Sequence, residues 1–305
     1  MIVRIFLFLM VFLLESSYMY AVDNRIGEDI RFFSALNDRS TGSGGALKTA
    51  DYIANAFKEA GLQNVDFLDF ILPVPHVEEA FIELSNRRIP LRLLAPNLAI
   101  LSSLPSEGIE GNLVYAGKGE WEEINGKAVK DAIIICDMEC SPDFWLHVAA
   151  LGAKALVYAD IQDVNDYSGN GIKTLVKTPV NFPRFWVHPD DARELKTLLN
   201  GGRELRGRIS ASARWEQKRL RNVYGIIPGT DKQLSKELVI IEAPYDASSF
   251  VLSEAPGMDE ASSIMSLINL ARYLARNPPK RSVMFVATAG KSEAMAGVRT
   301  LAWEM

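Results

Sequence analysis

Two amphipathic helices are predicted near the start of the chain, because apolar residues recur there every three or four positions. These apolar positions are Ile26, Ile30 and Phe33 in the first helix, and Ala50, Ile53, Ala54 and Phe57 in the second. The second pattern stops at Gly61, a residue type that is common just after a helix. A polar, glycine-rich turn at residues 38–45 separates the helices and suits capping of the second one. Both helices are expected to pack on a sheet.

The middle of the chain carries short apolar runs that alternate with helical patterns. The predicted strands cover residues 112–116, 132–136, 155–158 and 182–187, and the predicted helices cover residues 142–152 and 190–199. This alternation predicts a separate α/β unit, which we place at residues 96–212 as an insert.

The final third of the chain has the pattern of a strand, a helix and a second strand. Predicted strands at residues 238–241 and 282–287 flank a helix whose apolar face holds Ile264, Leu267, Ile268, Ala271 and Leu274. This order predicts two parallel strands in a sheet that is covered by helices on both faces. In such sheets, functional groups lie in the loops that follow the strands.

Composition and charge narrow the classes of function. Of the 305 residues, 48% are hydrophobic and 23% are charged, which is typical of a folded protein and leaves little room for long disorder. The formal net charge of -5 comes from mixed acidic and basic residues, so nucleic acid is not an expected partner. The most basic stretch, residues 218–221, is expected to be a solvated strand end.

Residues 1–21 have the layout of a secretory signal. Arg4 precedes an apolar run at residues 5–14, and a cleavage point is expected after Ala21. The protein is therefore predicted to be exported, to a secreted, periplasmic or other extracytoplasmic location. An uncleaved anchor is the alternative, because Met19 suits the cleavage site poorly, although the run is far shorter than the roughly 20 residues that span a bilayer. No other segment is expected to cross a membrane.

Cys136 and Cys140 are the only cysteines, and three residues separate them. Two interpretations stay open: a pair of packed thiols, or a local disulfide that export would make chemically feasible. A structural zinc site normally needs four ligands, so this single pair does not predict one.

Several ordered motifs resemble those of the M28 family of zinc metallopeptidases. They are Arg39-Ser40-Thr41-Gly42-Ser43 before a helix, Asn222-Val223 with Pro228-Gly229, Tyr245-Asp246 after a strand, and Gly257-Met258-Asp259-Glu260 opening a helix. The insert resembles the protease-associated domain that many such peptidases carry. Its matching segments are Gly152-Ala153-Lys154-Ala155 and Phe182-Pro183, each leading into a strand.

The resemblance implies a three-layer α/β/α sandwich with a mixed, largely parallel sheet. Residues 22–95 and 213–305 would form this peptidase-like domain, and residues 96–212 would form the protease-associated insert. In the family, two zinc ions at the ends of parallel strands activate a water, polarise the scissile carbonyl and bind the free amino terminus of the substrate. The last two ligands of the family, an aspartate and a histidine, are expected beyond residue 305, which would leave the domain incomplete here.

The resemblance also assigns roles to positions near the end of the first of the two parallel strands. Pro244 stands at the place of a histidine ligand and has no lone pair for a metal. Asp246 stands at the place of the aspartate that orients this histidine. Asp259 matches the aspartate that bridges the two metals, and it is the only retained ligand position.

Lys291 and Ser292 stand where the family has a general-base glutamate and a glutamate ligand. An ammonium group cannot take a proton from water near neutral pH, and a serine hydroxyl is a weak zinc ligand. Glu293 is adjacent but out of register, so it is not expected to take either role. We expect Lys291 instead to place its charge near Asp259, where it would replace part of the charge of the metal.

The predicted function is that of an exported M28 peptidase-like protein that is catalytically inactive and needs no cofactor. It would act as a binding or interaction module for a peptide or protein, or be a fragment of a longer chain. The alternative is a zinc-dependent metalloaminopeptidase that removes N-terminal residues from peptides. The sequence indicates neither the identity of a partner nor an oligomeric state.

Overall fold

The structure is a computed structural model that describes residues 25–85, 87–159, 180–200 and 204–305. The predicted signal at residues 1–21 lies outside these residues. The chain divides into two compact units. The described part of the first unit comprises residues 25–70, 219–247 and 256–305, and the second unit lies within residues 71–218 and 248–255.

The helices and strands follow one another in the order expected of an α/β protein. The helices are α1 (25–34), α2 (Gly44–Ala60), α3 (Trp121–Ile124), α4 (Phe144–Ala150), α5 (Pro189–Leu199), α6 (Met258–Arg276) and α7 (Ala296–Glu304). The strands are β1 (Gln63–Leu84), β2 (Arg87–Pro90), β3 (Arg92–Leu93), β4 (Ile109–Tyr115), β5 (Ile133–Asp137), β6 (Ala155–Ala159), β7 (Arg184–Val187), β8 (Arg206–Ile227), β9 (Leu238–Pro244) and β10 (Ser282–Thr288). Among the described residues, no helix is both long and apolar enough to cross a bilayer.

Strand β10 is the central strand in the sheet of the first unit. It pairs in parallel with β9, from Ser282 opposite Leu238 to Thr288 opposite Pro244. On its other side it pairs antiparallel with the end of β8. The parallel pair joined by α6 confirms the predicted strand, helix and strand unit, and the antiparallel neighbour makes the sheet mixed.

Helices cover both faces of this sheet, because successive residues of β10 point to opposite sides. The ring of Phe285 contacts that of Phe57 in α2, with ring centroids 6.2 Å apart. The neighbouring residues Met284 and Val286 pack instead against Leu301 of α7. This alternation confirms the predicted arrangement of helices, sheet and helices in the first unit.

Local capping explains where α2 begins and ends. The hydroxyl of Ser43 accepts a hydrogen bond from the backbone N–H of Ala46 at 3.1 Å, which satisfies one of the free donors at the helix start. At the other end, Gly61 has φ 90° and its N–H donates to the carbonyl of Lys58. The left-handed conformation at Gly61 is one that glycine adopts without a steric penalty.

The second unit contains a parallel sheet in the order β4, β5, β6 and β7. Strand β3 pairs antiparallel with β7, and β8 pairs antiparallel with β4. Apolar residues fill both faces of this sheet. Ile133, Ile135 and Val157 belong to one cluster, and Ile134, Cys136 and Leu156 belong to another. The four strands and two helices predicted for this region are all present, and each end lies within three residues of the predicted one.

The second unit is longer than the predicted insert. The expected bounds, residues 96–212, lie inside it, and the unit also takes in residues 71–95 and 248–255. The segment 248–255 belongs here because Val251 lies in the apolar cluster of this unit and pairs with Leu94. The identification of the insert as a protease-associated domain stays a prediction.

Candidate functional site

The candidate site lies in the first unit, where β9 and β10 end next to each other. Asp246 follows β9 by two residues, and Gly290 follows β10 by two residues. The turn before α2 reaches the same place, because the carbonyl of Arg39 accepts the N–H of Ala247 at 2.9 Å. The site therefore forms at the carboxyl ends of parallel strands, as the sequence predicts.

Asp246 is the most deeply buried carboxyl group of this site, with only 1% of the residue exposed. Its Oδ2 atom accepts hydrogen bonds from the hydroxyl of Thr41 at 2.7 Å and from the N–H of Gly290 at 2.5 Å. Among the described residues its Oδ1 atom has no hydrogen-bond partner. Burial raises the pKa of Asp246 to about 6, and the nearby Glu293 adds to the rise.

Glu293 shares the hydroxyl of Thr41 with Asp246. The Oε2 atom of Glu293 lies 2.9 Å from Thr41 Oγ1. A hydroxyl carries one hydrogen, so it can donate to only one of these two carboxyl groups. The other contact is favourable only when that carboxyl is protonated and donates to the hydroxyl oxygen. Both contacts are therefore favourable at a pH where one of the two carboxyl groups is protonated, and burial raises the pKa of Glu293 as well as that of Asp246.

Arg39 fixes the loops that carry the site. Its side chain is fully buried, and it donates to the carbonyl of Tyr245 at 2.7 Å, to that of Pro256 at 3.0 Å and to that of Gly257. Its guanidinium group also lies 5.2 Å from the centre of the Phe33 ring. Burial lowers the pKa of Arg39, whereas Glu260 and Asp246 favour its charged form. One side chain thus holds the end of β9 and the start of α6 together.

Asn222 holds the segment that follows β10. Its amide donates to the carbonyl of Gly297 at 2.8 Å, and its oxygen accepts from the N–H of Ala289 at 3.2 Å. Asn222 is fully buried in β8, so its two bonds join three elements of the first unit. This connection sets the path of residues 289–297, which include Glu293.

A comparison with models of known protein families found a match to the C-terminal part of this chain. Residues 222–303 match peptidase family M28. This match covers the part of the first unit that carries Asp246, Asp259 and Glu293. A search of curated protein sequences found no match.

Solved structures show a similar fold for most of the chain. A zinc aminopeptidase from Bacillus subtilis is 19% identical, with a TM-score of 0.58, over 87% of this chain and 61% of that one. A peptidase M28 precursor from Shewanella amazonensis SB2B is 18% identical, with a TM-score of 0.55, over 91% of this chain and 66% of that one. At such identities the likeness shows the fold alone. The chain spans less than two thirds of the length of these structures.

The structure places the remaining M28 positions at the surface or near it. Pro244 ends β9 and is half-buried, and Ser292 is half-buried after β10. Asp259, in the first turn of α6, and Lys291 are both exposed. Lys291 and Asp259 were expected to lie near each other, and within the described part of the chain no ion pair joins them. Two exposed side chains keep their hydration, so little drives them together.

Glu293 is the residue that sequence reasoning rejected and the structure brings into the site. The motif register favoured Lys291 and Ser292 over Glu293. In the structure, Ala294 and Met295 both have φ 55°, which is an unusual left-handed conformation for residues other than glycine. This turn lets the Glu293 side chain reach Thr41. Neither alanine nor methionine signals such a turn, so the sequence held no local clue to it.

The side chains present do not fit the two zinc ions of the family. Among the described residues, no three histidine, cysteine, aspartate or glutamate side chains are grouped so that they could hold a metal ion. Pro244 offers no lone pair, and Ser292 is a weak donor. Asp246 and Glu293 both contact the hydroxyl of Thr41, and a metal ion would have to compete with these contacts.

Proposed function

We propose that this chain is an exported M28 peptidase-like protein without peptidase activity, whose M28 unit binds a peptide or a protein partner. The observation that carries the proposal is the set of residues at the family's chemical positions. These are Pro244, Lys291 and Ser292, none of which can perform the corresponding task.

Peptide hydrolysis needs a group that takes a proton from the attacking water. The position of this base holds Lys291, and an ammonium group has three donors and no lone pair that could accept a proton. Glu293 does not stand at the position of the base, and the hydroxyl of Thr41 contacts its carboxyl group. The buried Asp246 contacts the same hydroxyl. Among the described residues, the position of the base therefore holds no group that could take this proton.

The scaffold around these positions is nevertheless complete. Arg39 still binds the loops after β9 and before α6, and Asn222 still binds the segment after β10. Such buried polar contacts are costly to leave unsatisfied, and here each donor has its acceptor. A fold that retains the supports of a site without its chemical groups favours binding over hydrolysis.

The test of inactivity compares the natural chain with a variant that restores the family residues. The purified protein is dialysed extensively, its zinc content is measured by mass spectrometry, and hydrolysis of leucine p-nitroanilide is followed with and without added zinc. We expect zinc far below one ion per chain and no hydrolysis above the blank. Stoichiometric zinc together with hydrolysis would establish the aminopeptidase alternative and overturn the proposal.

The matched variant is the triple substitution Pro244→His, Lys291→Glu and Ser292→Glu. If these positions are the cause of weak metal binding, the variant retains more zinc than the natural chain. A control with Lys291→Gln and Ser292→Gln removes the same side chains without adding metal ligands, and it should bind no more zinc than the natural chain. Equal zinc retention in all three proteins contradicts the assignment of these positions.

The proposed binding role is tested with peptides and with candidate protein partners. Peptides with a free amino terminus and their N-acetylated counterparts are screened by saturation-transfer NMR, and we expect binding without cleavage. The purified protein is also crosslinked to exported proteins of the source cell. The binding role is overturned if no peptide binds and no partner is captured.

Export is tested by N-terminal sequencing of the protein from the extracytoplasmic fraction, and the sequence should begin at Val22. A protein that keeps residues 1–21 and stays in the cytosolic fraction contradicts export.

A further inference from the structure

The two cysteines of the second unit lie in contact at the end of a buried strand. Cys136 is in β5 and Cys140 is in the turn that follows, and their sulfur atoms are 3.2 Å apart. A disulfide bond is about 2.05 Å long, so the sulfurs need to approach by only about 1 Å. We propose that Cys136 and Cys140 form an intramolecular disulfide in the mature protein.

The backbone around the pair suits this bond. The N–H of Cys140 donates to the carbonyl of Asp137 at 3.1 Å, so residues 137–140 form a tight turn that folds Cys140 back toward β5. This turn leads into α4, whose Phe144 and Trp145 pack in the same apolar cluster as both cysteines. A disulfide here would tie the end of a strand to the start of the helix that covers it.

Other uses of this cysteine pair fit the structure less well. A metal site would need further ligands, and the described residues hold no group of three side chains that could supply one. A catalytic or redox-sensing cysteine is usually accessible to solvent. Cys136 is 0% exposed and Cys140 is 1% exposed, so both sulfurs are shielded. Shielding favours a structural disulfide that resists reduction once it has formed.

The chemistry needs a two-electron oxidant, which we take to be a disulfide compound such as glutathione disulfide or a disulfide oxidoreductase. One cysteine thiolate attacks the oxidant and forms a mixed disulfide, which releases one reduced thiol. The second cysteine thiolate then attacks the mixed disulfide and releases a second thiol. The two protons lost by the cysteines end on the two released thiols. In the cell this step rests on the proposed export, since the cytosol keeps thiols reduced.

Burial also determines when the bond forms. An oxidant cannot reach the two sulfurs in the folded chain, because both cysteines are buried in an apolar cluster that includes Phe144 and Trp145. The exchange therefore takes place before α4 packs on the sheet, or during local opening of the turn. Oxidation of the unfolded chain during refolding should be much faster than oxidation of the folded, reduced protein.

The experiment uses the full chain and glutathione, so its outcome is independent of export and of peptidase activity. Reduced, unfolded protein is refolded with a mixture of reduced and oxidised glutathione, then denatured, and its thiols are titrated. We expect no titratable thiol and an intact mass lower by two hydrogen atoms. Folded, reduced protein placed in the same mixture should oxidise at least tenfold more slowly. Two titratable thiols after oxidative refolding, or a stable glutathione adduct on one cysteine, overturns the proposal.

Single cysteine variants distinguish formation of the disulfide from other effects of the oxidant on the protein. Cys136→Ala and Cys140→Ala each leave one thiol, and neither should lose two hydrogen atoms on oxidative refolding. The oxidised natural chain should melt a few degrees higher than its reduced form, whereas the melting temperature of Cys140→Ala should not respond to the oxidant. If the natural chain and the variant respond alike, the pair does not form an intramolecular disulfide.

Discussion

The hydroxyl of Thr41 lies 2.7 Å from the buried carboxyl group of Asp246, and the same hydroxyl lies 2.9 Å from Glu293. Burial, with the charge of Glu293, makes the folded state bind the proton of Asp246 more tightly than the unfolded chain does. The stability of the first unit should therefore depend on pH in a defined window.

The first prediction concerns the pH dependence of stability. The pKa of Asp246 is about 6 in the folded protein and about 3.9 in an unfolded chain, so the folded state binds the proton more tightly. The contribution of Asp246 to stability is therefore fully present below about pH 4 and is lost as the pH rises to about 6. The loss is about 3 kcal/mol. Asp246→Asn should remove this part of the slope.

Urea unfolding of the natural chain and of Asp246→Asn between pH 4 and pH 7 measures the difference. Asp259→Asn is the matched control, because Asp259 is exposed and should leave the slope unchanged. Parallel curves for the natural chain and Asp246→Asn would show that Asp246 carries no extra proton in the folded state.

The second prediction isolates the influence of Glu293 on its neighbour. Burial is the main cause of the raised pKa of Asp246, and the charge of Glu293 raises it further. Glu293→Gln removes that charge, so the pKa of Asp246 should fall below about 6. Carbon NMR of labelled aspartate carboxyl groups follows this titration directly. Glu304→Gln is the control, because Glu304 is exposed in α7, and it should leave the pKa of Asp246 unchanged. An unchanged titration in Glu293→Gln would show that the charge of Glu293 does not raise the pKa of Asp246.

The third prediction concerns Arg39. Its replacement by alanine leaves three backbone carbonyls without their donor, which should cost about 3–5 kcal/mol of unfolding free energy. Arg39→Lys should rescue little of this, because one ammonium group cannot reproduce the fork of a guanidinium. Arg219→Ala is the control, since that side chain is 73% exposed and its ion pair with Asp69 is long. Equal unfolding midpoints for the two alanine variants would contradict the role given to Arg39.

Apolar periodicity reports burial on a helix face or a strand, and it predicted most of the helices and the short buried strands. It did not predict the two longest strands, β1 and β8, whose residues are mostly exposed or half-buried. The strand, helix and strand order of the final third was sufficient to place Asp246 at the carboxyl end of β9. The contacts of Arg39 could not be predicted in this way. They join a turn near residue 39 to carbonyls more than 200 positions later, and nothing in the local pattern specifies such a partner.

The prediction that Lys291 supplies charge near Asp259 stays a prediction. Both side chains are exposed, and among the described residues no ion pair joins them. Inside the unit, the hydroxyl of Thr41 contacts both Asp246 and Glu293. Glu293 comes directly before a left-handed turn at Ala294 and Met295, and neither residue type predicts that conformation.

The last prediction tests the close packing that sets the path of the segment carrying Glu293. A Cβ atom added at Gly297 would overlap the Asn222 side-chain oxygen and the carbonyl of Ala289, and it would lie 3.0 Å from the Ala289 nitrogen. The backbone atoms of Ala289 belong to the end of the central strand region and cannot move aside cheaply. Gly297→Ala should therefore lower the unfolding free energy by about 2 kcal/mol or more.

Gly44→Ala is the control in the same unit, and it should not lower the unfolding free energy. A Cβ atom at Gly44 meets nothing within 4 Å, and Gly44 begins α2. Alanine restricts the unfolded chain and favours the helix, so this variant should be neutral or up to about 1 kcal/mol more stable. Thermal unfolding of the two variants beside the natural chain measures both effects. If Gly297→Ala were as stable as Gly44→Ala, the contact between Asn222 and the segment after β10 would be looser than the structure shows, and the placement of Glu293 beside Asp246 would lose its support.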